Sequence, residues 1–101
     1  MTKHKHTPGP WRHEGPDYFH DFNILSPCDS LAVAAVVSNM RELPEIAANA
    51  KLIAAAPELL EALIDLADDI AERFDMDSPS TNPGIKHYIQ NARDAIAKAT
   101  E

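Results

Sequence analysis

The sequence predicts an α+β domain: a small antiparallel β-meander of two or three strands at the N-terminus, followed by two or three amphipathic α-helices. Three observations carry this. Short aromatic and β-branched runs separated by turn residues fill the chain before residue 38. After residue 43 the apolar period changes from two to about 3.6 residues. Strands and helices are segregated along the chain rather than alternating, which argues against a parallel sheet. The 101 residues read as one domain, 1–101, with a flexible arm at 1–10, strands within 11–38 and helices within 44–99.

Pro8-Gly9-Pro10 excludes helix and suits an arm. Trp11 opens a short strand-like stretch, and Gly15-Pro16-Asp17 is turn chemistry. Tyr18 to Leu25 reads as a strand, Ser26 to Ser30 as a five-residue loop, and Leu31 to Val37 as a buried strand, together a hairpin. Pro44 suits the first turn of a helix whose inner face holds Ile46, Ala50 and Ile53. Pro57 must end, kink or restart that helix. Beyond it, Leu59, Leu60, Leu63, Leu66, Ala67, Ile70, Ala71 and Phe74 form one stripe, with acids opposite. Asn82 and Pro83 cap and start a last helix, whose inner face holds Ile85, Tyr88, Ile89, Ala92, Ile96 and Ala99.

Composition narrows the function classes. The formal net charge of −7 argues against direct nucleic-acid binding, which needs a basic face, and suits either a basic protein partner or simply good solubility. One cysteine, Cys28, excludes an internal disulfide and a Cys-based zinc site, and fits the reduced cytoplasm of a bacterial cell. No apolar run approaches the roughly 20 residues of a membrane span, and no signal peptide is expected. Ala-rich helices bury little area each, so stability can lean on a partner chain.

Two strings stand out: His6-Thr7-Pro8-Gly9-Pro10-Trp11, and Ala48 to Leu63, which reads ANAKLIAAAPELLEAL. Together they resemble a widespread group of small phage and prophage proteins of unknown function. That group pairs an HTPGPW start with an ANA(K/R)LIAAAPELLEAL helix, and a closing amphipathic helix like Asp94–Ala99 is typical of it. The strings cover about a quarter of the chain. The resemblance implies a phage or prophage gene in a bacterial host. It brings no activity and no catalytic residues, and Arg12 to Leu43 lies outside it.

The first candidate site is acidic. Between Pro57 and Asp77, eight acids against one base, Arg73, leave a local charge of −7, equal to that of the whole chain. Glu61, Asp65, Asp68 and Glu72, spaced four, three and four apart, line one ridge, with Asp69, Asp75 and Asp77 beside it. The bland reading is a solvated helix face. The sharper one is a phosphate-like surface that occupies the nucleic-acid groove of a host protein and steers its association. Carboxylates on a straight helix converge too poorly for divalent cations.

Other candidates are weaker. His4, His6, His13 and His20 crowd the first 20 residues, but no H-x-x-x-H or H-E-x-x-H pattern and no paired cysteine joins them. Incidental histidines are the default, and no metal or other cofactor is expected. Trp11 either seals the sheet edge against a helix or anchors a partner. Cys28 beside His20 or Asp29 lacks the setting that activates a thiolate. The Leu59, Leu63, Leu66, Ile70 stripe, with the small residues of 47–56, serves either internal packing or a homodimer seam. No glycine loop or catalytic motif is present, so the expectation is no enzyme. Three functions remain: a phage inhibitor of a bacterial defence system, anti-CRISPR-like, acting by steric block; a homo-oligomeric accessory or regulatory protein; and a metal-dependent enzyme using the N-terminal histidines.

Overall fold

The computed structural model describes residues 5–27 and 32–101. Their elements are β1 (Arg12–Glu14), β2 (Phe22–Leu25), β3 (Ala32–Val36), α1 (Leu43–Ala54), α2 (Ala56–Arg73) and α3 (Pro83–Thr100). The predicted α+β class is what forms: a three-stranded antiparallel sheet, then helices. His4, Cys28 and residues 29–31, which include the end of the predicted loop and the first residue of the predicted third strand, lie outside the described residues. Contacts divide the chain into two compact units, Met1–Glu58 and Leu59–Glu101, with the boundary in the first turn of α2.

In the first unit, β2 is the central strand. His13 faces Ile24, and Phe22 and Ile24 face Val36 and Ala34 on the other side. A register shift between Ile24 and Leu25 marks a bulge at Val33 on β3, which has no partner on β2. Alternation puts Phe22, Ile24 and Val36 on one face, and α1 covers that face with Ile46, Ala50 and Ala54. Ile53, expected inside, is instead partly exposed, and Ala54 takes the position four residues beyond Ala50. A helix packed this closely on a sheet accepts Ala where the spacing brings it nearest.

The aromatic run before β2 is a turn, not strand. The Asp17 carboxylate accepts the N–H groups of Phe19 (2.9 Å) and Asp21 (3.0 Å), and the Asp17 carbonyl accepts that of His20 (2.9 Å). These local bonds outweigh the β-propensity of Tyr18 and Phe19 and leave His20 at φ 64°. The Asp17 carboxyl is held below its ordinary value near 3.8, chiefly by the Asp21 N–H, then by Phe19, Asn23 and the charge of His20 against a smaller desolvation. A depressed pKa contributes stability above the unfolded value and loses it as pH falls through the folded one. The amide shifts of Phe19 and Asp21 should therefore move together in one acid step whose midpoint lies below the ordinary carboxylate value. In Asp17→Asn that acid step should vanish; its persistence would assign it elsewhere.

α1 stops at Ala55, whose N–H bonds to the Lys51 carbonyl at 3.1 Å, and α2 begins one residue later. Pro57 thus separates two helices and sits in the first turn of the second, where its missing donor costs nothing. It is buried, and Gly9 lies against it: a Cβ on Gly9 would come within 2.8 Å of the Pro57 Cβ. The HTPGPW string and the Ala-rich string therefore meet in space. Trp11 is half-buried against the core, its indole N–H donating to the Thr7 carbonyl at 3.1 Å, with the His6 ring edge-on at 6.2 Å.

In the second unit, Arg73 near the end of α2 pairs back with Asp69 at 2.9 Å. A turn then holds residues 75–81 through the Asp75 carbonyl, which accepts from the Ser78 N–H and the Thr81 hydroxyl. Asn82 caps α3 by accepting the Gly84 N–H at 2.7 Å. On α3, Ile89 is buried while Ile85, Ala92 and Ile96 are half-buried, spaced four, three and four apart. Tyr88 and Ala99, expected with them, lie at the stripe's edge and are exposed.

Candidate functional site

The acidic face belongs to α2. At 100° per residue, Glu58, Glu61, Asp65, Asp68, Asp69 and Glu72 fall within an arc of about 100°. All are exposed, as are Asp75 and Asp77 beyond the helix end. Asp69 shares its charge with Arg73, and Asp75 turns one oxygen inward to accept the Asp77 N–H at 2.9 Å. Asp65, Asp68 and Glu72, three and four residues apart, line the C-terminal half of this ridge. The result is a ridge of like charge with a field of one sign.

The opposite side of α2 carries the leucine stripe, and burial splits it. Ala67 is fully buried, with Leu60, Leu63, Ile64, Ile70 and Ala71 half-buried around it. Leu59 and Leu66, seven residues apart, are 54% and 58% exposed. The proposed seam therefore has Leu63 and Ile70 sheltered and Leu59 and Leu66 open.

Among the described residues, the histidines do not converge. His6 sits beside Trp11, His13 lies on β1 with its ring 6.3 Å from Phe22, and His20 ends the Asp17 turn. Among the described residues, no three His, Cys, Asp or Glu side chains are grouped to hold a metal ion.

One surface was not legible in the sequence. Tyr18 and Phe19, 90% and 72% exposed, stack edge to face at 5.3 Å on the Asp17 turn. Met40, also exposed, sits at φ 68° in the β3–α1 loop. The Asp21 carboxylate ties the two loops together by accepting the Ser38 N–H at 2.8 Å. Between them His20, Ser38, Met40, Arg41, Leu43 and Ile46 line an open groove. The signal was Asp17 itself, a turn-capping residue placed before two aromatics.

No helix of the described residues is long and apolar enough to cross a membrane. Comparison with curated proteins finds no match, and comparison with solved structures finds none either. The family model described as Salmonella phage P22 protein Y8K6 matches residues 1–101, so the chain belongs to that family of small phage proteins.

Proposed function

We propose that the protein is a phage-encoded binding protein, without enzymatic activity, that works in the cytoplasm of the bacterial host. It blocks a basic, nucleic-acid-binding effector of a host defence system by laying the acidic face of α2 in that effector's groove. The observation that carries this reading is the exposure of every acid on α2 within one narrow arc. A ridge of carboxylates offers a basic groove what a phosphate backbone offers, and its field raises the rate of encounter.

The test is capture from host lysate with tagged protein at low and moderate salt, beside the variant Asp65→Lys, Asp68→Lys, Glu72→Lys. The expected result is one stoichiometric, salt-sensitive partner with a nucleic-acid groove. The variant should bind it with a 10- to 10³-fold slower on-rate, by order of magnitude, at unchanged helicity. Full binding by the folded variant would refute the acidic contact.

A second reading, a homo-oligomeric accessory protein, draws on the exposure of Leu59 and Leu66, since leucines this open at heptad spacing suit a helix seam.

A further inference from the structure

The two edges of the sheet differ in kind. β1 carries Arg12 and Glu14, ion-paired at 3.3 Å, and is followed by Pro16. Charge and proline are the devices by which natural proteins keep an edge from recruiting another strand. β3, the opposite edge, reads Ala-Val-Ala-Ala-Val, and no charged residue or proline occurs from Ala32 to Met40. Ala32, Ala35 and Val37 are exposed. Every second residue of such an edge turns its N–H and C=O outward, away from β2.

We infer that β3 pairs with β3 of a second copy, joining two sheets into one continuous sheet; this goes beyond the inhibitor reading and does not depend on it. The argument for a second copy is one of charge and register. In a chain of net charge −7, like-charge repulsion is what opposes self-association, and this edge contributes none. An antiparallel pairing about a two-fold axis normal to the sheet must set residues of the same face opposite each other. Centred on Ala35, it places Ala34 opposite Val36, both on the face that α1 covers, and Ala35 opposite itself on the open face. Both α1 helices then lie on one side of the joined sheet. The bulge at Val33 falls outside this central stretch.

Light scattering on the full chain tests this. The expected mass is twice the 11.1 kDa of one chain. Ala35→Lys sets two lysines face to face on the axis and should yield monomer with an unchanged circular dichroism spectrum, since position 35 is exposed. Mixing Ala35→Lys with Ala35→Glu should restore the dimer mass as a heterodimer. A monomeric wild type at its highest soluble concentration overturns the inference. So does a dimer that survives Ala35→Lys, or one lost in Leu59→Ser, Leu66→Ser but kept in Ala35→Lys.

Discussion

Ile24→Ala is expected to cost the N-terminal unit about 2–5 kcal/mol. Ile24 has no exposed surface and sits on the central strand, between His13 on one side and Ala34 on the other. The residues that would have to close the cavity include Ala34, Ala47 and Ala50, which have no rotamers to swing inward. The void therefore stays open, and its cost adds to that of the lost transfer energy. With total stabilities of about 5–15 kcal/mol for whole proteins, this is a large share. Urea unfolding followed by Trp11 fluorescence reads it directly, because that indole packs against the same cluster. Ile24→Val should cost only about 0.5–1.5 kcal/mol. Equal midpoints for the two variants would mean that the cluster is not the cooperative core.

Gly15→Ala should be nearly as damaging, through backbone rather than packing. Gly15 adopts φ +147°, a region closed to side chains, at a cost of about 1–3 kcal/mol. A Cβ there would also lie 2.9 Å from the Asp21 carbonyl oxygen and 3.1 Å from the Phe22 Cα. Those are main-chain atoms at the start of the central strand, and moving them adds roughly 1–3 kcal/mol. Gly84→Ala is the control. Its Cβ would meet only the Asn82 side-chain oxygen, at 3.1 Å, and Ala gains up to about 1 kcal/mol over Gly in a helix. Thermal melts of the two variants should separate clearly. A Gly15→Ala protein that melts with the wild type would show that the turn relaxes without disturbing β2.

How far the sequence speaks is clearest at particular residues. The helices were legible because apolar spacing is a global signal, repeated over several turns, above all in the 18-residue α2 and α3. Asn82 and Pro83 announced α3 through local chemistry that tertiary contacts do not override. Tyr18 and Phe19 misled because their β-propensity reflects a fit to half-buried surfaces, while Asp17 satisfied the backbone first. Ile53 and Tyr88 lie at the margins of apolar stripes, where a few degrees of helix rotation decide between core and solvent. The position of the acids follows from the period alone. A partner does not, since a run of charge specifies the sign and range of a field but not the shape that answers it.

The contact between Gly9 and Pro57 also bears on synthesis. The segment around Gly9 finds its place only when Pro57, nearly the last residue of its unit, has emerged, a few seconds later at about 5–20 residues per second. Until then Trp11 and the bare strands have only each other, and loop closure across the unit is the slow, non-local step. A nascent chain stalled short of Pro57 should be open to protease around Gly9, and one stalled well beyond it should not.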